Sequence, residues 1–284
     1  METNQDKESK DQFIIACISN FKYAEKIIQW SCLFAKILDK GLILLHISDP
    51  QYTNITTEEA EISLQILNKQ IKDIQTHSYL ALKGKTKKII HSLGEMLSAV
   101  LMVSFIENNH NSVHQTLKNF SQSRIAYFIF NEKTEIKPFK NVLLPMNMLR
   151  EAKEKVLWAG YFGRFAKSTI TIFHKKYKDE FHQQQLNANI KFAVSMLENF
   201  NIKINIMNYS ETNNNQRKNA DLDVLAIDYA EKCKYYDLII CQTTKNKSIL
   251  NLFSQLAEHK TLLHSQSVPV LFLNPRDDLF VLCE

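Results

Sequence analysis

The sequence predicts an α/β protein made of two tandem doubly wound domains, each a five-stranded parallel sheet with helices on both faces. Two observations predict this fold. Short apolar runs alternate with segments whose apolar residues recur at helical spacing, and the second half of the chain repeats the pattern of the first. Strands that alternate with helices need right-handed crossovers, which make the strands parallel and cover both faces of the sheet.

The repeat has a fixed register. Trp30 and Trp158 are 128 positions apart, and so are His46 and His174. At this offset the apolar run that begins at Leu42 also falls on an apolar run of the second half. Because tryptophan, histidine and a whole strand share one register, the sequence indicates an internal duplication.

The first predicted domain spans residues 12–131. Its second strand follows Gly41, which is interpreted as a helix stop, and Thr56 begins a helix with a capping pattern. Its predicted strands and helices, in alternating order, are Phe13–Ile18, Lys22–Leu38, Leu42–Ile47, Thr56–Ile74, Ser78–Leu82, Thr86–Leu97, Ala99–Val103, Ser112–Ser121 and Ile125–Phe130.

The second predicted domain spans residues 139–275. We expect residues 1–11 to form a disordered leader, and no pattern indicates a role for 276–284. After a first strand, Asn141–Asn147, and a charged helical segment, the predicted elements are Ile170–Phe173, Asp179–Phe200, Ile202–Met207, Leu222–Cys233, Tyr236–Cys241, Ile249–Leu263 and Pro269–Leu273.

Composition excludes several classes of protein. With 45% hydrophobic and 23% charged residues, the chain has the composition of a soluble globular protein. The net charge of +5 comes from lysines interspersed with acids, as in Glu151–Lys155, so we expect solvated helix faces and no nucleic-acid-binding stripe. Five cysteines without a C-x-x-C pair favour a reducing cytoplasm. We expect no signal peptide and no membrane span, because the amino terminus is polar and no apolar run reaches 18 residues.

Three stretches resemble the universal stress protein family in its tandem form. Val142–Asn147 is similar to the family's first strand, I-L-V-P-x-D, and Asp237–Gln242 is similar to its fourth, D-L-I-V-M-G. Leu256–Leu271 resembles the family's closing helix and strand, and the likeness covers nearly all of residues 12–275. The resemblance implies two domains of the adenine nucleotide alpha hydrolase-like fold, paired about a pseudo-twofold axis, with a further homodimer as an option.

Some members of that family bind ATP at the carboxyl ends of the strands, and this sequence departs from their motif. The acid that ends the first strand is replaced by Asn147 in the second half and by Ser19 in the first. The family's glycine-rich segment, G-x-x-G-(nine residues)-G-[ST], is replaced by Gln242–Lys247, with Ser254-Gln255 near its end. Glycines let backbone N–H groups close around phosphate, and neither half has them at these places.

The lost contacts predict weak ATP binding. A micromolar site represents about 8 kcal/mol, and each hydrogen bond to a charged group contributes roughly 1.5–3 kcal/mol. Losing two or three of them predicts a millimolar site or worse, so we expect no resident cofactor. The alternative is a nucleotide- or anion-binding sensor, in which Lys245 would hold a phosphate by charge. Its site would consist of the polar side chains that end the strands of the second domain: Asn147, Gln242, Thr243, Thr244 and Lys245.

No pattern indicates catalysis or a metal centre. The sequence contains no G-x-S-x-G elbow and no zinc-ligand spacing, and the pair His110 and His114 lacks a third ligand. Trp30 and Trp158 are expected to pack in the core. We therefore predict a cytoplasmic, non-catalytic scaffold of the stress response that binds an unknown protein partner and contacts neither nucleic acid nor membrane.

Overall fold

The computed structural model describes residues 12–120, 123–209, 221–244 and 256–275. The chain divides into two compact units. The first contains the chain up to Glu107 together with His114–Glu132, and the second contains Asn108–Val113 together with the chain from Lys133 onward. The domain bounds 12–131 and 139–275 stay predictions.

The first unit alternates strands and helices, as its hydrophobic periodicity predicts. A short 3₁₀ turn, Phe21–Tyr23, precedes the first helix. The elements are β1 Phe13–Cys17, α1 Ala24–Leu38, β2 Gly41–Ser48, α2 Thr57–Lys69, β3 His77–Lys83, α3 Thr86–Met96, β4 Ala99–Phe105, α4 His110–Phe120 and β5 Ala126–Phe130.

The second unit repeats this order over its described residues. A 3₁₀ turn, Arg150–Lys153, again precedes the first helix. The elements are β6 Asn141–Pro145, α5 Glu154–Phe165, β7 Thr169–His174, α6 Glu180–Glu198, β8 Ile204–Asn208, α7 Leu222–Cys233, β9 Leu238–Gln242, α8 Ala257–His264 and β10 Val270–Leu273. Part of the predicted helix Ile249–Leu263 lies outside the described residues.

Each unit has the sheet of a doubly wound fold. In the first, the strand order is β3-β2-β1-β4-β5, and in the second it is β10-β9-β6-β7-β8. The strand pairs within each sheet are parallel. The chain therefore reverses its direction across the sheet between β1 and β4, and between β6 and β9. Ligands of such folds bind at this switch point, beyond the carboxyl ends of the strands.

Apolar burial holds the first unit together. Every residue of β2 is buried, which matches its continuous apolar sequence. Trp30 of α1 is fully buried, with its ring 4.9 Å from that of Phe128 and 6.0 Å from that of Phe130. The core prediction for Trp30 is confirmed. Trp158, at the same register, is only half-buried.

Two helix-end predictions have different outcomes. The capping box is confirmed: the Thr56 hydroxyl accepts from the Glu59 N–H at 3.2 Å, and the Glu59 carboxylate accepts from the Thr56 N–H at 2.9 Å. The assignment of Gly41 as a helix stop is wrong. Asp39 takes the left-handed position that ends α1, with φ 53°, and Gly41 begins β2. Glycine is needed there because a Cβ would lie 2.6 Å from the Phe13 ring.

Candidate ligand site at the carboxyl ends of the strands

The switch point of the second unit lies between β6, which ends at Pro145, and β9, which ends at Gln242. The loop after Pro145 leads into α5, and α7 leads into β9. Side chains from the first turns of α5 and α7 therefore reach the same end of the sheet as the predicted site residues.

A lysine is buried at this switch point. Lys155, in the first turn of α5, is 1% exposed, and its ammonium donates a hydrogen bond to the carbonyl of Pro145. Its counterpart at the 128-residue offset is Ile27, a fully buried core residue of α1. The prediction that Glu151–Lys155 forms a solvated helix face is thus wrong for Lys155, and also for Glu154, which is 3% exposed. The repeat register is the signal that would have placed Lys155 inside.

Lys155 belongs to a small network of ionisable groups. Asp223, in the first turn of α7, accepts hydrogen bonds from the Gln242 backbone N–H and from the Cys241 thiol. Burial raises the pKa of the Asp223 carboxyl, and the positive charge of Lys155 opposes that rise. Burial, reinforced by the Asp223 charge, also raises the pKa of the Cys241 thiol. The thiol therefore stays protonated at neutral pH and serves as a hydrogen-bond donor.

Asn147, predicted to replace the nucleoside-binding acid, is held by its own loop. Its side-chain oxygen accepts from the backbone N–H of Leu149 at 3.0 Å. The amide of Asn189, on α6, donates to the carbonyls of Asn147 and Leu149 at 2.9 and 2.8 Å. Asn189 is 4% exposed and had no signal in the sequence. Its two bonds fix the loop that follows β6.

The polar residues at and just after the end of β9 also form hydrogen bonds with other parts of the second unit. The Gln242 amide donates to the carbonyl of Glu151 at 3.0 Å. The Thr243 hydroxyl donates to the side-chain oxygen of Asn274 at 2.6 Å, and the Thr244 hydroxyl donates to the carboxylate of Glu258 at 3.0 Å. Lys245, the fifth predicted site residue, lies outside the described residues.

The residues beyond the carboxyl ends of the strands in the first unit have a different arrangement. Ser19, which follows β1, is exposed. Asp49, just beyond β2, is 2% exposed and accepts from the backbone N–H and the hydroxyl of Thr86 at 2.8 and 3.1 Å. Burial favours the neutral carboxyl, but the hydrogen bonds from Thr86 and Gln51 outweigh it and lower the pKa of Asp49. Asp49 therefore serves as an anionic cap of α3.

His46, near the carboxyl end of β2, has a hydrogen-bond partner at one ring nitrogen. Nδ1 lies 2.7 Å from the Ile18 carbonyl, so Nδ1 carries the proton and donates. Nε2 is buried and makes no hydrogen bond with the part of the chain that the structure describes. Burial lowers the pKa of His46, opposed by the bond to Ile18, and the ring packs 5.2 Å from Phe21. His46 is thus a neutral residue.

Within the described ranges, no group of three or more His, Cys, Asp or Glu side chains could hold a metal ion. Of the helices described, none is both long and apolar enough to cross a membrane.

The class of protein follows from this geometry: a doubly wound α/β protein in tandem, with a candidate ligand site at each switch point. Comparison with known proteins shows which solved structures share this fold. No protein-family model matches the chain, and no curated protein does. Solved structures match 95–99% of its length.

A universal stress protein from Archaeoglobus fulgidus DSM 4304 matches 95% of this chain and 98% of its own, with a TM-score of 0.72 and 11% identity. A functionally unknown protein from Pseudomonas aeruginosa PAO1 and a protein assigned to the universal stress proteins from Pseudomonas aeruginosa UCBPP-PA14 match with TM-scores of 0.58. The PAO1 protein matches 99% of this chain and 98% of its own at 13% identity. The UCBPP-PA14 protein matches 97% of this chain and 97% of its own at 14% identity. The chain therefore has the fold of these universal stress protein structures, and the predicted α/β fold class is confirmed.

Proposed function

We propose that this protein is a non-catalytic, universal-stress-protein-like scaffold that acts through protein contacts and has lost the ATP-binding motif of that family. The observation that carries the proposal is that its own side chains use the polar groups at the switch point of the second unit. Lys155 bonds the Pro145 carbonyl, Asn189 bonds the loop after β6, and Gln242 bonds the Glu151 carbonyl.

Two features of these residues argue against binding of a triphosphate. The family's ATP mode, as the sequence resemblance implies it, uses glycine N–H groups that approach the phosphates, and all five glycines of this chain precede residue 164. A nucleotide would also have to break the internal hydrogen bonds, each worth about 1 kcal/mol, before it gained its own. Both effects weaken binding.

Catalysis has equally little support. Asp223 and Lys155 bond groups of the chain itself: the Gln242 N–H, the Cys241 thiol and the Pro145 carbonyl. The Cys241 thiol has a raised pKa, which is the reverse of what a nucleophile needs. The function that remains for the fold is recognition of another protein by its surface.

Native mass spectrometry of the chain purified from cells, without added nucleotide, tests the proposal. We expect the mass of the polypeptide alone, and no release of phosphate when ATP is added to the pure protein. A stoichiometric adenine nucleotide on the purified chain would overturn the proposal in favour of the sensor that uses Asn147, Thr243 and Lys245. Sustained phosphate release would overturn it in favour of a hydrolase.

A further inference from the structure

One surface of the second unit combines exposed aromatic rings with exposed cations. It lies at the carboxyl-terminal ends of α5 and α6 and at the starts of β7 and β8. It is thus at the end of the sheet opposite to the candidate ligand site. We call it the aromatic–basic edge, and its residues are Tyr161, Arg164, Phe165, Lys167, Phe200 and Lys203.

The exposed rings of this edge contact one another or the Arg164 guanidinium. Tyr161, Phe165 and Phe200 are 44%, 50% and 43% exposed. The Tyr161 ring lies 5.8 Å from that of Trp158 and 6.1 Å from that of Phe165. The Arg164 guanidinium lies over the Phe165 ring at 5.1 Å and over the Phe200 ring at 4.6 Å. Clustered aromatic and arginine side chains are characteristic of the centres of protein–protein interfaces.

The first unit shows that the fold does not require these rings. At the 128-residue offset, Leu33 stands for Tyr161 and Ile37 stands for Phe165. Both aliphatic side chains are partly buried, whereas their aromatic counterparts are exposed. A packing role alone would therefore be met by smaller residues.

The charges differ between the two units as well. In the first, Lys36 pairs with Asp73 at 2.7 Å, and Asp39 ends α1 with φ 53°. In the second, Lys167 is the counterpart of Asp39, and Arg164, the counterpart of Lys36, lies over the rings of Phe165 and Phe200.

The backbone does not explain that exchange. Lys167 has φ 56°, nearly the value of Asp39, so both residues meet the same conformational requirement with opposite charge. A left-handed position favours Asn or Asp over lysine. The second unit thus has a cation where the first has Asp39, while the exposed acid Glu198 lies two residues before Phe200. Lys203, at the start of β8, adds another exposed cation.

We propose that the aromatic–basic edge binds an acidic segment of a partner protein in which carboxylates alternate with apolar side chains. The arginine guanidinium donates two parallel hydrogen bonds to a carboxylate, and the exposed ring edges supply apolar contact. Single-stranded nucleic acid fits less well because bases stack on open ring faces. Here Tyr161 and Arg164 already contact the ring of Phe165. This inference rests on the proposed scaffold function and names the chemistry of its partner.

Peptide display on the full-length chain tests the inference. A random 15-residue library is selected, and the affinities of the best peptides are measured by fluorescence anisotropy. We expect selected peptides to contain more Asp and Glu than Lys and Arg, together with apolar residues. Affinity should fall at least about tenfold, or about 1.4 kcal/mol, in Lys167→Asp and in the double variant Tyr161→Leu/Phe165→Ile. These variants copy the residues of the first unit, so they are compatible with the fold.

Lys88→Asp, an exposed position on α3, makes the same charge change elsewhere and should leave the affinity unchanged. The inference is overturned if no peptide is selected, if selected peptides lack excess negative charge, or if they bind the edge variants and the parent equally. Tighter binding of oligo(dT) than of any peptide, or concentration-dependent self-association lost in the edge variants, would assign the edge to another occupant. None of these outcomes would restore ATP binding, so the scaffold proposal is tested separately.

Discussion

At the scale of single residues, the most informative position is Lys155. An ammonium buried where the duplicated unit has Ile27 carries a large desolvation cost, which its partners must offset. Those partners are the carbonyl of Pro145 and the carboxyl of Asp223. The internal charge network is therefore the feature that most distinguishes the second switch point from the first.

Substitution of this network should be strongly non-additive. Lys155→Ile leaves the Asp223 carboxyl without its compensating charge, and we expect it to lower the free energy of unfolding by about 3 kcal/mol or more. The double variant Lys155→Ile/Asp223→Leu removes both charges and should recover most of that loss. Urea unfolding followed by circular dichroism measures both. Lys191→Ile, on an exposed face of α6, is the control, with an expected change within about 0.5 kcal/mol. Additive losses would show that Lys155 and Asp223 do not interact.

His46 predicts a pH dependence of stability. Its pKa is lowered in the folded state, so the unfolded chain binds the proton more readily near its ordinary pKa of about 6.5. Stability is fully present above that value and is lost as pH falls, by at most about 1.4 kcal/mol per pH unit. Urea midpoints measured between pH 7.5 and pH 5.5 should fall less steeply in His46→Gln than in the parent chain. Equal slopes would contradict a neutral buried imidazole.

The sequence predicted the switch-point residues better than it predicted their contacts. Asn147, Gln242, Thr243 and Thr244 do follow the strands that the periodicity indicates, because strand ends are set by local apolar runs. Lys155 was assigned to solvent because charged residues surround it, and Asn189 gave no signal at all. The repeat register with Ile27 would have placed Lys155 inside, whereas Asn189 is buried by contacts with the distant loop after β6, which no local pattern encodes.

At the scale of elements, the two glycines of α5 differ in whether their packing requires glycine. A Cβ on Gly163 would lie 2.5 Å from the side chain of Ile202, whereas one on Gly160 would lie no closer than 4.0 Å to Met196. Gly163 therefore permits the close approach of α5 to the segment that leads into β8. Gly160 has no such role in the described packing.

Alanine substitutions separate the two glycines. Gly163→Ala should lower the free energy of unfolding by about 1–3 kcal/mol, because the added methyl forces the packed Ile202 side chain to move. Gly160→Ala meets only ordinary contacts and should be neutral or stabilise the helix by up to about 1 kcal/mol. Thermal unfolding by calorimetry ranks the two against the parent. If both variants were destabilised alike, the assigned close approach would be wrong.

Element types were predicted more reliably than element ends. The helix Leu222–Cys233 was predicted at its observed bounds, and the capping box of α2 identified the start of that helix. The Gly41 assignment failed because Asp39 tolerates the left-handed conformation, so glycine was not the residue that ends α1. The end of a helix depends on the conformation that a single residue adopts, whereas the hydrophobic periodicity that predicts a helix is summed over all of its residues.

At the scale of the whole molecule, the two units share one architecture and differ at both ends of their sheets. Identity of 11% to a structure that matches 95% of the chain shows how little of the sequence the fold requires. The second unit has a buried lysine at its switch point and the aromatic–basic edge at the other end. The pseudo-twofold pairing of the units and a further homodimer stay predictions.

The central claim is that internal hydrogen bonds and the lack of glycines leave no productive ATP site. Isothermal titration calorimetry of the full-length chain with Mg²⁺ and ATP tests it most directly. We predict no saturable heat up to about 1 mM nucleotide, which corresponds to less than about 4 kcal/mol of binding free energy. Saturable binding of ATP with a Kd below about 10 µM, which requires nearly 7 kcal/mol, would contradict the account.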